Sequence, residues 1–141
     1  MQGNQFLDTN ILVYAFDTSD DEKRNVALGL VKTSARSRKG ILSTQVLGEF
    51  FNATVIRKQL LEPSEALLAI QGFTSTFRVF TPGTDEIYEA ISLHQKYQLR
   101  YWDALILASS NSADCQTVYS EDLTHGQEYN GVQVINPFLE L

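Results

Sequence analysis

Short apolar runs alternate with longer stretches of helical period along the whole chain, and this alternation constrains the fold more than any other feature. The strand-like runs are Gln5 to Asp8, Ile41-Leu42, Phe77 to Phe80, Gln116 to Tyr119 and Val132 to Ile135. Between them lie helical stretches. One starts at Asp21 with Val26, Ala27, Leu30 and Val31 at helical spacing, acids first and Lys32, Arg36 and Lys39 later, as the helix dipole prefers; Gly40 is expected to break it. Another is capped by Ser43 or Thr44 and runs to about Gln59. A third starts near Pro63 and buries Ala66, Leu67, Ile70 and Phe73. Asp85 to about Tyr97 reads as a helix with Ile87, Ala90, Ile91 and His94 at helical spacing, which puts His94 on its apolar face. Trp102 to about Ala113 is apolar almost all round and belongs at the centre of the packing. Short strands separated by helices predict an α/β fold with a short, mostly parallel sheet covered on both faces. Such sheets take ligands beyond the carboxyl ends of their strands.

At 141 residues the chain is expected to form one domain, residues 1–141. Hydrophobic residues make up 43% and charged residues 20%, which fits a folded globular chain rather than a disordered one. No apolar run approaches the roughly 20 residues that span a membrane. No basic segment followed by an apolar core opens the chain, so a cytoplasmic location is expected. The single cysteine, Cys115, excludes an intramolecular disulfide and a Cys-based zinc cluster, and reads as a small buried filler. A net charge of −6 argues superficially against a nucleic-acid partner, but charge distribution matters more than the sum. Acids crowd at Asp17, Asp20, Asp21 and Glu22, whereas Lys32, Arg36, Arg38 and Lys39 form a basic run, with Arg57, Lys58, Lys96 and Arg100 elsewhere. Charge alone neither establishes nor excludes RNA.

Two carboxylates interrupt apolar text: Asp8 ends the first strand, and Asp103 sits in Tyr101-Trp102-Asp103-Ala104-Leu105-Ile106-Leu107-Ala108. A carboxylate buried without a partner loses several kcal/mol of solvation, on the order given by transfer energies. Glu49 lies early in the helix after the second strand, and Asp122 just after the strand ending near Tyr119. In a parallel sheet all four project towards one edge. Carboxylates sharing a cleft repel unless a cation is present, and Mg²⁺ or Mn²⁺ accepts such oxygen ligands. Asp8, Glu49, Asp103 and Asp122 are therefore the candidate metal ligands and catalytic residues. Thr9, Asn10 and Ser120 stand beside them as candidate supporting or substrate-binding groups, and Glu121 could replace Asp122 as the fourth acid. Each also has an ordinary reading: a helix cap for Asp8, a surface acid for Glu49, a dipole partner for Asp103. An all-carboxylate site without a protein nucleophile suits phosphodiester hydrolysis.

The ordered blocks Phe6 to Ala15, Ser43 to Phe50, Tyr101 to Ala108, Tyr119 to Leu123 through Gly126, and Gly131 to Phe138 resemble a PIN domain, and most closely the VapC-type ribonuclease toxins. The resemblance spans almost the whole chain. It implies a three-layer α/β/α sandwich and a Mg²⁺- or Mn²⁺-dependent endoribonuclease, often homodimeric, silenced by an antitoxin protein. It matches Asp8, Glu49 and Asp103 to the three core acids and Asp122 to the fourth, more variable one, with Thr9 and Ser120 at the family's hydroxyl positions. The overall acidity, with no strong basic patch beside the motifs, departs from the pattern. A PIN nuclease of RNA processing, or an interaction module with little intrinsic activity, is the alternative. A receiver-like domain would need a late lysine, yet none follows Lys96, and a dehalogenase-like phosphatase would want Asp-x-Asp where Asp8-Thr9-Asn10 stands. Serine- and cysteine-hydrolase elbows and a Walker-type loop are absent. His94 is assigned a structural role and His125 an ordinary surface position.

Overall fold

The computed structural model describes residues 3–141. The elements run β1 (Asn4–Leu7), α1 (Thr9–Tyr14), α2 (Asp21–Ser37), β2 (Gly40–Ser43), α3 (Thr44–Phe51), a π-helical stretch (Asn52–Arg57) and α4 (Pro63–Thr76). They continue with β3 (Arg78–Phe80), α5 (Thr84–Tyr97), α6 (Tyr101–Ser112), β4 (Cys115–Tyr119), β5 (Glu128–Tyr129) and β6 (Val132–Ile135). The sheet order is β3-β2-β1-β4-β6-β5, parallel throughout except for β5 against β6. Helices flank it, as the α/β reading and the three-layer sandwich require. The chain winds outward from β1 through β2 to β3, then restarts on the other side at β4. The order therefore reverses between β1 and β4, and a crevice opens beyond their carboxyl ends. Asp8 follows β1 and Ser120 follows β4, so both stand at that reversal. Two backbone bonds extend the ladder to the rim: Asp8 N donates to Tyr119 O at 3.0 Å, and Ser120 N to Ile135 O at 3.0 Å.

The core joins Phe6, Leu7, Ile41, Leu42 and Val118 of the strands to Ile11, Leu12, Val46 and Phe50 of the helices. In α6 every residue from Ala104 to Ser110 is buried, as expected of a helix apolar almost all round. Ser43 caps α3, its Oγ accepting from Val46 N at 3.3 Å. Glu62 precedes Pro63 at the start of α4, and its N–H is satisfied by the Glu65 carboxylate at 2.8 Å.

Three readings need correction. Gly40 does not break α2: the helix ends at Ser37, Arg38 turns left-handed at φ 60°, and Gly40 opens β2. Its role is close packing, since a Cβ there would lie 2.6 Å from the Phe77 ring and 2.9 Å from Ser34 Cβ. Gly40→Ala is expected to cost about 1–3 kcal/mol by overpacking. Denaturant unfolding tests this, and an unchanged midpoint would mean that Phe77 yields freely. Secondly, two helices turn a different side inward than expected: α4 buries Ala66 and Phe73 but leaves Leu67 exposed, and α5 buries Ala90 and Leu93 against the core, leaving Ile87, Ile91 and His94 exposed. His94 instead meets the Leu99 carbonyl through Nδ1 at 2.5 Å, closing the turn after the helix. Thirdly, β5 is a strand where a loop was expected. Asn130 (φ 50°) and Gly131 (φ 89°) supply the two left-handed residues of a tight hairpin joining β5 to β6.

Candidate metal-binding pocket

The rim of the reversal point is built from β1 outward. Asp8 caps α1, so its carboxylate faces the free N–H groups of that helix: Oδ1 accepts from Thr9 N at 2.7 Å, and Oδ2 accepts from Ser120 Oγ at 2.7 Å. Its relative exposure is 4%, and among the described residues no cation touches it. Burial is the main force raising its pKa, from the usual 3.8 to about 7; the Ser120 and Thr9 bonds pull the other way, and the charges of Asp122 and Glu49 add to the rise.

Glu49 is half-buried on α3 and turned inward. Its Oε1 accepts from Thr9 Oγ1 at 2.7 Å and its Oε2 from Gln45 Nε2 at 3.1 Å. The same Gln45 amide donates to Trp102 O at 3.1 Å, tying α3 to the first turn of α6. Asp103, in that turn, is held by Arg100 at 3.1 and 3.4 Å, and this hydrogen bond chiefly, with the Asp103 charge beside it, raises the Arg100 pKa.

Adjacent Glu121 and Asp122 point to different partners. Glu121 accepts from Tyr14 Oη at 2.7 Å and pairs closely with Lys23, whose pKa this contact raises. Asp122 accepts from Asn10 Nδ2 at 3.1 Å, and its own N–H donates to Ser120 Oγ at 3.1 Å. Asn10 Oδ1 accepts from Glu121 N at 3.2 Å, so one amide side chain clamps both residues of the loop. Ser120 likewise links Asp8 to Asp122 through one hydroxyl.

All four candidate acids line one open cavity of about 540 Å³, together with Thr9, Asn10 and Glu121. Ser120 supports it from the buried side. The wall also contains groups not assigned to the site from sequence: Tyr14, Asn52, Arg57, Lys58, Arg100 and Trp102. The basic residues among them temper the acidity that stood out in the sequence. Arg57 and Lys58 arrive there because α3 continues into π-helical geometry, a feature common at functional sites. Lys58 also reaches buried Asp17 at 3.5 Å, and the Ser19 hydroxyl and N–H chiefly keep the Asp17 pKa low. His125 does not line the cavity; its Nδ1 accepts from Asn136 N at 3.0 Å. Cys115 is buried, and burial pushes its thiol up to about 12, as befits an inert filler.

The donor set is entirely oxygen, which suits a hard divalent cation rather than zinc or copper. Among the described residues, no three acids are already gathered as a ligand cluster. Mg²⁺ characteristically keeps several waters and takes only one or two carboxylates. The buried, unpaired carboxylate of Asp8 is the observation that fits such an ion best.

A family model described as "PIN domain" matches residues 6–125. No curated protein matches significantly. Several solved structures share the fold. A toxin–antitoxin complex from Klebsiella pneumoniae is 22% identical, with TM-score 0.68, over 96% of this chain and 98% of that one. VapC20 of Mycobacterium tuberculosis, described as a Sarcin-Ricin loop cleaving toxin, is 20% identical, with TM-score 0.63, over 84% and 90%. VapBC2 from Rickettsia felis, bound to a promoter DNA fragment, is 16% identical, with TM-score 0.67, over 92% and 96%.

Proposed function

The chain belongs to the PIN domain family, and from that membership and the acid-lined pocket we propose that it is a Mg²⁺- or Mn²⁺-dependent endoribonuclease, the toxin of a toxin–antitoxin pair. The observation that carries this reading is Asp8: a buried carboxylate with no cation beside it among the described residues, facing a cavity that Glu49, Asp103 and Asp122 also line. A carboxylate so placed is poorly accommodated alone and well accommodated beside a divalent ion. Asp8, Glu49, Asp103 and Asp122 would hold the metal, some of them through its waters, and when bound it supplies a Lewis acid for activating water and neutralising phosphoryl charge. The chain's own residues do the rest. Thr9 and Gln45 orient Glu49, Ser120 orients Asp8, and Asn10 orients Asp122. Arg57, Lys58 and Arg100 line the same wall and offset the charge of an RNA backbone entering an acidic pocket.

RNA rather than DNA is taken from the family resemblance to ribonucleases. The test is incubation of the purified protein with varied RNAs in Mn²⁺, in Mg²⁺ and in chelator. Cleavage is expected with metal only; no cleavage of any RNA with either metal would remove the proposal.

Asp122, not Glu121, is assigned as the fourth acid, because Tyr14 and Lys23 already hold the Glu121 carboxylate. Asp122→Asn is therefore expected to lower cleavage about tenfold or more, while Glu121→Gln keeps activity within a few-fold, by analogy with loss of a single electrostatic group. Equal losses in the two variants would return the assignment to an open choice.

The partners proposed with this function are an antitoxin and a second copy of the chain. Ile87, Tyr88 and Ile91 on α5 are 39%, 67% and 44% exposed, and Leu67 and Leu68 on α4 are 55% and 69% exposed. Apolar surface of this kind is what a partner buries. A monomer mass by light scattering at micromolar concentration would remove the homodimer. Among the described residues, no helix is long and apolar enough to cross a membrane.

A further inference from the structure

Trp102 is the only tryptophan in the chain, and 60% of its surface is exposed on the wall of the acidic cavity, one residue before Asp103. An indole left in water forgoes the burial that normally places tryptophan in cores and interfaces. Its backbone is nevertheless firmly held. The remainder of α6 is buried from Ala104 to Ser110, the Gln45 amide donates to the Trp102 carbonyl, and the Tyr101 ring meets the indole edge-on at a 4.9 Å centroid distance. The side chain is thus exposed on a rigid support, with little further ordering needed to bind a flat partner. Its companions on the cavity wall are polar and charged, among them Arg100, Asp103, Glu49, Arg57 and Lys58. The Arg57 side chain makes no ion pair or hydrogen bond among the described residues. An aromatic side chain in a cavity that cations and acids both line fits a nucleotide better than an apolar protein surface.

We propose that Trp102 is the stacking platform for an unpaired base next to the scissile phosphate. This rests on the ribonuclease reading above. A base within a duplex has both faces covered by its neighbours, whereas an unpaired base can give one face to an indole. Arg57 and Lys58 contribute positive charge along the strand without reading sequence. Trp102 acts by binding and positioning, so its removal raises KM more than it lowers kcat.

Because Trp102 is the sole tryptophan, fluorescence excited at wavelengths where the six tyrosines do not absorb reports on it alone. The experiment titrates the cleavage-impaired Asp8→Asn protein with a 10-nucleotide unpaired RNA of mixed sequence, and with the same strand in a duplex. The unpaired strand is expected to quench the indole to saturation, and the duplex to quench it weakly. Adding Trp102→Ala to Asp8→Asn is expected to weaken binding of the labelled unpaired strand about 5- to 150-fold by anisotropy, as loss of one base–aromatic stack does. Trp102→Phe is expected to restore binding to within a few-fold. Binding without quenching, equal quenching by duplex, unchanged affinity in Trp102→Ala, or no RNA binding at all would each overturn the proposal. So would a change in mass by light scattering for Trp102→Ala with RNA affinity intact, which would make Trp102 a contact between copies. Cleavage assays with Mn²⁺ on proteins retaining Asp8 separate the two claims. Metal-dependent cleavage with the same KM in Trp102→Ala removes the stacking platform only. Quenching by unpaired RNA without any cleavage removes the nuclease only.

Discussion

Asp8→Asn is expected to raise the melting temperature of the metal-free protein above pH 7 while lowering RNA cleavage by a factor of about 100 or more. Burial lifts the Asp8 carboxyl to about 7 in the folded chain from the ordinary 3.8. Below about 3.8 the group is neutral in both states and contributes no pH dependence. Between 3.8 and 7 the folded chain keeps a proton that the unfolded chain releases, so stability falls as pH rises through this window. Above 7 the whole penalty is present, on the order of 4 kcal/mol. Asparagine carries no charge yet can keep the Thr9 N–H on its oxygen and offer its amide to Ser120 Oγ. The gap in melting temperature between variant and wild type should therefore be small at pH 4 and widen to pH 8, in chelator throughout. A variant less stable than wild type at pH 8, or a gap independent of pH, would contradict the account of Asp8 as a carboxylate strained by burial.

Phe50→Ala should have the largest effect on stability, about 3–5 kcal/mol. The ring is fully buried and meets Phe16 and Phe73 edge-on, at centroid distances of 5.5 and 5.3 Å. It thereby joins the turn after α1 to α3 and α4 in one aromatic cluster, and the neighbouring residue on α3 is Glu49. Truncation leaves a cavity among three elements that cannot all collapse into it. For a domain of this size the loss corresponds to a fall in melting temperature of roughly 10 °C or more. Differential scanning calorimetry measures this directly. A fall of only a degree or two would mean that Phe16 and Phe73 close the space.

Much of this arrangement is legible before any coordinates. Alternation of short apolar runs with helical stretches is enough for a parallel sheet, because only crossover helices can join such strands. The same logic brings Asp8 and Ser120 to one edge, since each directly follows its strand. What separates Glu121 from Asp122 is not local. The two are adjacent, and their roles diverge through Tyr14, Lys23 and Asn10, which lie about a hundred residues earlier in the chain. Arg57 and Lys58 were visible as charges but not as pocket groups, because helical spacing extended from Glu49 assumes one constant period and the π-helical stretch changes it. On α5 the apolar residues form more than one stripe, so periodicity alone does not say that Ala90 and Leu93 take the core while Ile87 and Ile91 stay outside. The Asn130-Gly131 pair was a hairpin signal in plain view. It joins a strand of only two residues, too short for an alternating pattern to register.

The claim at the centre of the account is that the acidic pocket is a site for a divalent cation, and this can be tested without any RNA. Thermal melts of wild type and Asp8→Asn at pH 7.5 over a Mn²⁺ titration report binding through the stabilisation it confers, about 2.7 kcal/mol at a hundredfold excess over Kd. Wild type is expected to rise in melting temperature and saturate, and Asp8→Asn to stay nearly flat from its higher starting value. No rise in wild type, or the same rise in both proteins, would contradict the metal site.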